Sequence, residues 1–404
     1  MGARVDSNRR NTVPTHLELR RNSNTMGGLS RKIGPTEGQG GTTTWDKLMA
    51  SSRYLHHAIV FFSVIALAAV GCSRTAPEGD APVAESATSA ADAAASDAQP
   101  SGAAKSLTVA VIPKSTGGEF WETVELGSRA AGENLGVAIK WEGALAETEI
   151  AEQKKIIENM VNLGVDGIAL APLNATAMRK SVGSAVAEGI PVVIFDSSVE
   201  GDAHTSYVAT NNEAGGALGG QHMVEKLAGT AGRTIVQRYI QGTASTEDRA
   251  RGFMDTAKAG GLKVLADPYP EDSTVAGCKK TSTNTLESFV KDGKLELDGV
   301  FACNLTATQG MLAALDGLRK SGVQVNVVFV GFDTSPMLIK DLQAGNIDAL
   351  VAQDPETMGF LAVDTLVRHL RGEEVDAVID TGVELVTRER LENDLELRKL
   401  VGLE

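Results

Sequence analysis

An alternation of short apolar runs and amphipathic stretches, which occurs twice along the chain, constrains the fold more than any other feature. Apolar runs such as 107–112 and 191–195 alternate with stretches of roughly 12 residues that have helical periodicity. Strands that are apolar throughout are buried on both faces, as in parallel sheets covered by helices on both sides. Right-handed crossovers between such strands then restrict the topology to a doubly wound α/β arrangement.

The predicted elements divide into two similar series. Strands are predicted at 107–112, 137–141, 167–171, 191–195, 234–238 and 263–266, and helices at 120–135, 147–163, 175–188, 247–259 and 277–290. Residues 165–171 resemble residues 297–303, and residues 192–196 resemble residues 329–333, with offsets of roughly 130 residues, the size of one domain. The sequence therefore predicts two similar doubly wound parallel-sheet lobes.

The first part of the chain shows no such pattern. Residues 1–48 have no apolar period and are predicted to be unstructured; translation is predicted to begin at Met49. Residues 49–72 have a basic start, an apolar run and small residues before Cys72, as secretory signals do. The ending resembles the lipobox of bacterial lipoproteins, so Cys72 is predicted to be lipidated and to anchor the chain to the membrane. Residues 73–105 are rich in Ala, Ser, Asp and Pro, which predicts a disordered tether.

Polar residues at the ends of the predicted strands are the candidate ligand contacts. In open α/β sheets, ligands bind beyond the carboxyl ends of the strands. Asp196 and Asp333 end apolar strands, Asn304 and Gln353 follow two others, and Arg249 lies in the second lobe. Phe120 and Trp121 begin the helix after the first strand. Carboxylates, amides and a guanidinium that face aromatic rings suit a small polyhydroxylated molecule.

Each of these residues also has a purely structural interpretation. A terminal Asp or an Asn can cap the next helix, and the two aromatic residues can belong to the core. Arg249 and Arg251 can instead form surface pairs with Glu247 and Asp248. A ligand-binding carboxylate faces water when two lobes are open, so its removal is expected to lower affinity while leaving the stability of the fold little changed.

Composition and missing motifs exclude several classes of function. The net charge of −14 argues against a nucleic-acid partner. The sequence contains none of the common nucleophile-elbow, phosphate-loop or zinc-helix motifs, so neither a catalytic residue nor a metal or other cofactor is predicted. An enzyme that uses Asp196 and Asp333 as an acid–base pair lacks a nucleophile, and a transcription regulator lacks a DNA-binding domain before residue 106. Cys278 and Cys303 either remain free or pair in an oxidising compartment.

The ordered set of motifs resembles the periplasmic sugar-binding proteins of the ribose-binding type, which are related in fold to the ligand domains of lactose repressors. The resemblance covers about residues 106–390. The matching stretches are Phe120-Trp121, 165–168 with Pro172, 189–196, 208–212 with Gly215 and Gly216, 249–253, Asn304, 330–333 and 352–353.

The resemblance implies a type I periplasmic binding protein fold with a three-strand hinge near 208–210, 353–355 and 381–383. The N-terminal lobe is then expected at 106–209 plus 354–381, and the C-terminal lobe at 210–353 plus 382–404. It also implies that the aromatic pair stacks on a sugar and that the strand-end residues and Arg249 bind its hydroxyls.

Departures from the family pattern bear on the identity of the sugar. Gly118, Ser197 and Leu305 stand where Asn, Arg and Asp are common in ribose binders. Lys114 adds a charge near the cleft, and Glu247 occupies a position where a ligand-facing Arg is common, so both are further candidate ligand contacts.

The predicted function is that of an extracytoplasmic, periplasmic lipoprotein that binds a small sugar-like molecule and delivers it to the permease of an ATP-binding-cassette importer. A ligand-sensing subunit for a membrane receptor or kinase is the alternative, because both roles use the same closure of two lobes.

Overall fold

The computed structural model describes residues 106–403. Residues 1–48, the predicted signal at 49–72 with Cys72, and the predicted tether at 73–105 lie outside the described residues. No helix within 106–403 is long and apolar enough to span a membrane.

The described chain alternates strands and helices in the predicted manner. In chain order the strands are β1 (Thr108–Ile112), β2 (Ala138–Trp141), β3 (Gly167–Leu170), β4 (Val192–Phe195), β5 (Ser206–Ala209), β6 (Arg233–Gln237), β7 (Lys263–Ala266), β8 (Val290–Lys291), β9 (Lys294–Leu295), β10 (Gly299–Ala302), β11 (Val328–Phe332), β12 (Ala349–Ala352), β13 (Val378–Asp380) and β14 (Glu384–Val386). The helices are α1 (Glu119–Leu135), α2 (Ile150–Asn162), α3 (Ala175–Ala187), α4 (Asn212–Lys226), α5 (Ala244–Ala259), α6 (Val275–Glu287), α7 (Leu305–Lys320), α8 (Pro336–Ala344), α9 (Pro355–Leu370), α10 (Arg388–Asn393) and α11 (Leu395–Leu400).

Two six-stranded sheets share one strand order. The first runs β2-β1-β3-β4-β5-β13 and the second runs β7-β6-β10-β11-β12-β14. All pairings in the first sheet are parallel, and in the second only the edge pair β12–β14 is antiparallel. We call the first sheet with its helices the N-terminal lobe and the second with its helices the C-terminal lobe. The prediction of two similar doubly wound lobes is confirmed.

Helices cover both faces of each sheet because successive residues of an apolar strand point to opposite sides. In β1, Val109 and Val111 pack into a core with α1 and α9, whereas Ala110 and Ile112 pack with α2 and α3 on the other face. The C-terminal lobe has one continuous core around β6, β10, β11 and β12. The continuous apolar character of these strands therefore reflects burial on both faces.

The chain passes between the two sheets three times. It leaves β5 for α4, returns after β12 to α9, and crosses again between β13 and β14. The first and third connecting segments lie side by side: Thr381 N donates to Ala209 O at 3.1 Å, and the hydroxyls of Thr210 and Thr381 are 3.3 Å apart. The three crossings lie at residues 210–211, 353–354 and 381–383, and their role as a hinge stays a prediction.

The structure differs from the sequence predictions at several helix ends. The helix predicted from 147 begins at Ile150, because the Glu149 carboxylate accepts hydrogen bonds from the backbone of Leu145 and Ala146 and forms a turn. The helix predicted from 247 begins one turn earlier, at Ala244. The helix predicted to reach 290 ends at Glu287.

The hairpin β8–β9 was not predicted. Its turn contains Asp292 and Gly293 with φ of 50° and 74°. An Asp-Gly pair suits such a turn, because both positions need positive φ. That dipeptide was the available sequence signal.

Candidate functional site

A cavity of about 400 Å³ lies between the two lobes at the carboxyl ends of their strands. This volume is within the range of small-molecule sites. The structure brings together these predicted residues in its wall: Lys114, Phe120, Trp121, Asp196, Arg249, Asn304, Asp333 and Gln353. Asn304, Asp333 and Gln353 follow strands of the C-terminal lobe. Lys114 and Asp196 follow β1 and β4 of the N-terminal lobe.

The two strand-end aspartates share an unusual backbone conformation. Asp196 has φ of 60° and Asp333 has φ of 69°, in the left-handed region that Asp and Asn tolerate better than most residues. Each lies directly after the last residue of its strand, and each side chain is almost fully buried. The sharp turn directs each carboxylate into the cavity wall.

Asp333 is held by its own lobe. One carboxylate oxygen accepts from the backbone N–H of Leu305 at 2.8 Å, and the other accepts from Nε2 of Gln353 at 2.6 Å. Arg249 Nη1 is 3.8 Å away. Burial raises the pKa of Asp333, while Arg249 opposes this effect. Asp333 does not cap the helix that follows it, because Ser335 caps α8; it instead holds the first residue of α7.

Asp196 has a different environment. Its carboxylate lies 2.6 Å from Nζ of Lys114, and Nζ also donates to Ser245 Oγ of the C-terminal lobe at 3.0 Å. The side chains of Lys114 and Asp196 are 3% and 4% exposed, so the ion pair is buried. Lys114 therefore joins a strand-end carboxylate of one lobe to a hydroxyl of the other.

Arg249 is a buried part of the cavity wall and does not form a surface pair. It donates from Nε to Asn212 at 2.8 Å and from Nη1 to the carbonyl of Cys303 at 3.2 Å. Its guanidinium lies 4.0 Å from the ring centre of Phe332, a favourable cation–π arrangement. The surface interpretation holds only for Arg251, which pairs with Asp248 and Glu213.

The aromatic pair combines the core and cavity interpretations. Trp121 packs in the core of the N-terminal lobe, contacts Phe120 edge-to-face at 5.0 Å and still lines the cavity. Its indole N–H donates to Glu147 at 2.9 Å. Phe120 is half-buried and packs against the cores of both lobes. Its place between the lobes suits a ring that covers an enclosed molecule.

The amide side chains also have two roles. Asn304 caps α7 by accepting from Ala307 N at 2.9 Å, and it lines the cavity as well. Gln353 donates to Asp333 through Nε2, while its own Oε1 has no hydrogen-bond partner among the described residues. Nη2 of Arg249 also lacks a partner there. Unpaired buried polar atoms are costly, so Oε1 of Gln353 and Nη2 of Arg249 favour a hydrogen-bonding partner in the cavity.

Glu247 does not line the cavity. Its carboxylate accepts from Arg238 at 2.6 Å, from the hydroxyl of Tyr269 at 2.8 Å and from Gly242 N at 3.2 Å. These partners bind the carboxylate of Glu247 on the side of α5 that faces away from the cavity. The structure thus separates Glu247 from the other candidate residues.

Sequence reasoning missed several cavity residues. Ser245 and Thr246 line the cavity because α5 begins at Ala244. Thr243, a residue type common at helix starts, was the sequence signal for this earlier start. Glu147 also lines the cavity, from the loop between β2 and α2. A lone Glu in a loop carries no sequence pattern that marks it.

The two cysteines in the described residues are free and buried. Burial raises the pKa of each thiol to about 12. No cluster of three or more potential metal ligands was found within 106–403.

The chain is similar in sequence and fold to known proteins. The family model of the periplasmic binding protein domain matches residues 109–374. The ribose import binding protein RbsB of Haemophilus influenzae is 28% identical over 284 residues, which cover 69% of this chain and 91% of that protein.

Solved structures show the same similarity. An Agrobacterium vitis ABC transporter solute binding protein with bound D-fucose is 35% identical, with a TM-score of 0.67, and covers 74% of this chain and 100% of its own. A carbohydrate transporter solute binding protein of Agrobacterium radiobacter, in complex with D-arabinose, is 30% identical with a TM-score of 0.68 and the same coverage. The chain belongs to the periplasmic binding protein family.

Proposed function

We propose that this protein is an extracytoplasmic binding protein that encloses a small sugar or sugar-like polyol between its lobes and delivers it to an ATP-binding-cassette importer. The observation that carries the proposal is the interlobe cavity, whose wall combines two aromatic rings with unpaired hydrogen-bonding atoms of Arg249 and Gln353. The relatives named above are ribose-import and carbohydrate-transport binding proteins, which supports a periplasmic role in sugar uptake.

The chemistry of the wall favours hydroxyl groups. A hydroxyl both donates and accepts, so neighbouring hydroxyls can satisfy Oε1 of Gln353 and Nη2 of Arg249 together. Asp196 and Asp333 supply charged acceptors, which make stronger hydrogen bonds than neutral groups. Phe120 and Trp121 supply apolar surface for the C–H face of a ring.

Closure of the lobes is the proposed binding motion, with lobe boundaries near 209/210, 353/354 and 381/382. Several hydrogen bonds cross the cleft: Thr243 Oγ1 donates to Leu173 O at 2.9 Å, and Ser245 N donates to Ser197 Oγ at 3.0 Å. These bonds require the lobes to be close together. They support a mechanism in which closure buries the sugar and rotation occurs at the three connecting segments.

A thermal-shift screen tests sugar binding. Pentoses, hexoses, polyols and inositols, with D-ribose, D-arabinose and D-fucose among them, are added to the protein one at a time. A sugar at a hundred times its dissociation constant is expected to stabilise the fold by about 2.7 kcal/mol. Arg249→Lys should reduce this shift, because a lysine cannot reproduce the fork of the guanidinium.

Arg251→Lys on the same helix is the matched control, because Arg251 is half-exposed and outside the cavity. It should keep the full shift. The absence of a shift with every compound in the screen would contradict the proposal, and an equal loss in both variants would remove Arg249 from the site.

Membrane anchoring through Cys72 rests on the sequence and has its own test. The full-length chain, expressed in a bacterium that processes lipoproteins, should incorporate labelled fatty acid and sediment with membranes. Cys72→Ser should abolish the label and release the protein into the soluble fraction. An unlabelled full-length chain would contradict the anchor without affecting the proposed sugar binding.

A further inference from the structure

A third carboxylate, not anticipated from the sequence, lines the cavity on the side of the N-terminal lobe. Glu147 lies in the loop between β2 and α2, is half-buried and accepts the indole N–H of Trp121 through Oε1 at 2.9 Å. Because that bond occupies only one of its two oxygens, the other remains able to bind a molecule in the cavity.

The charges around Glu147 are already paired with one another. Lys114 at the end of β1 pairs with Asp196 after β4, and Arg249 on α5 lies beside Asp333 after β11. In the part of the chain that the structure describes, neither cation forms an ion pair with Glu147. With both pairs ionised, the ionised Glu147 gives these five groups a net charge of −1.

Burial raises the pKa of Glu147, and Asp196 raises it further. Lys114, the indole N–H of Trp121 and Arg249 act in the opposite direction. Two further titratable neighbours are Tyr239, whose hydroxyl donates to the carbonyl of Ser273, and the buried thiol of Cys278. A hydrogen-bond donor placed against the free oxygen would favour the ionised form.

We propose that Glu147 is a specificity-determining ligand contact, which accepts a hydrogen bond from a sugar hydroxyl facing the N-terminal lobe and disfavours sugars that carry a carboxylate there. This inference rests on the proposed function and deepens it. The ligand class is a neutral sugar or polyol with a free hydroxyl at that edge, as opposed to a uronic or aldonic acid. Trp121 positions the carboxylate for this contact.

Titration calorimetry on matched variants tests the proposal. Glu147→Gln keeps an oxygen that can accept the Trp121 N–H but removes the charge. Glu122→Gln is the control, because Glu122 is exposed on α1 outside the cavity and the change in net charge is the same. The probes are D-ribose, D-allose, D-arabinose and D-galactose, with D-galacturonate as the acid paired with D-galactose.

For neutral sugars that bind the wild type, Glu147→Gln is expected to weaken binding about fivefold, the difference between a charged and a neutral acceptor, while Glu122→Gln changes it less than about twofold. The preference for D-galactose over D-galacturonate should narrow only in Glu147→Gln.

The pH dependence gives a readout that a structural role would not produce. The hydrogen bond from a ligand hydroxyl to ionised Glu147 is lost as the pH falls through the raised pKa of Glu147 in the free protein. Wild-type affinity should therefore decline on acidification. Asp333 also has a raised pKa, so the diagnostic quantity is the part of the decline that disappears in Glu147→Gln but persists in Glu122→Gln.

The outcomes separate this proposal from the function on which it rests. If the wild type binds sugars and the two variants have the same affinities and pH profiles, Glu147 is not a ligand contact, although sugar binding stands. If the wild type binds none of the compounds in the thermal-shift screen, both proposals fail. Should Glu147→Gln fail to fold by circular dichroism, Glu147→Asp replaces it; weaker binding with a retained pH dependence would support the contact, and unchanged affinity would overturn it.

Discussion

The two lobes end equivalent strands with an aspartate in the same left-handed conformation, yet they hold the two carboxylates differently. Asp333 receives hydrogen bonds from Leu305 and Gln353 and lies beside Arg249, all within the C-terminal lobe. Asp196 pairs with Lys114, whose second partner, Ser245, belongs to the opposite lobe.

This difference indicates that the C-terminal half of the site is assembled within its lobe, whereas the N-terminal half is completed across the cleft. Asp333 is then expected to stabilise the C-terminal lobe and is also a candidate ligand contact. The expectation that its removal leaves stability unchanged does not suit its environment, because the loss leaves Arg249 buried without its carboxylate and Leu305 N–H without an acceptor. The following predictions test the contrast.

The largest expected effect is that of Asp333→Ala on folding. Removal of one member of a buried ion pair typically costs about 3–5 kcal/mol, and alanine also tolerates the positive φ poorly. The free energy of unfolding, measured by urea denaturation without sugar, should fall by about 3 kcal/mol or more. Asp333→Asn, which tolerates this backbone and retains an acceptor, should lose less. Equal stability of the wild type and Asp333→Ala would refute the contrast between the lobes.

Asp196→Asn is expected to separate affinity from stability. The amide oxygen can still accept from Lys114, so the free energy of unfolding without sugar should fall less than in Asp333→Ala, but the charged acceptor for ligand hydroxyls is lost. The affinity for a sugar found in the thermal-shift screen should fall by about tenfold, corresponding to 1.4 kcal/mol. Calorimetry and denaturation on the same preparation give both numbers. A large loss of stability with unchanged affinity would reverse the assignment.

A smaller effect is expected from the bond that Lys114 makes across the cleft. Ser245→Ala removes its acceptor, which should cost the closed form about 1 kcal/mol and shift the balance of closed and open forms by about fivefold. Small-angle scattering without sugar should show a larger radius of gyration than for the wild type. Ser321→Ala is the control, because the Ser321 hydroxyl donates to the carbonyl of Leu318 within one lobe. Identical scattering for the two variants would contradict a role in closure.

The smallest expected effect is that of a reducing agent on the Tm of the protein. Cys278 and Cys303 lie in the C-terminal lobe as free, buried thiols, so dithiothreitol should leave Tm unchanged. A thiol reagent should label both only after denaturation. A drop in Tm on reduction would show that a disulfide strengthens this lobe.

Glycines of α4 illustrate what sequence patterns do not reveal. No helix was predicted at 212–226, and glycine is unfavourable in helix interiors. A side chain at Gly216 would meet the carbonyl oxygen of Arg249 at 2.0 Å, and one at Gly220 would meet Thr256 at 2.9 Å. Close packing against α5 therefore selects residues that helix propensity disfavours.

The sequence by itself determined the doubly wound fold and most of the candidate site. Both depend on local patterns: apolar runs predict buried strands, and the polar residue that ends each run lies at the sheet edge where ligands bind. Lys114, Asp196, Asn304, Asp333 and Gln353 all reach the cavity for this reason.

Only the tertiary structure decided which groups pair and which loop residues join them. Lys114 and Ser245 are 131 residues apart in sequence, and their contact depends on how the lobes meet. Glu247 was placed outside the cavity by Arg238 and Tyr269, while Glu147 was brought into it by a loop turn and the indole of Trp121. Such positions follow from the course of loops and the docking of distant elements, which have no periodic signature in the sequence.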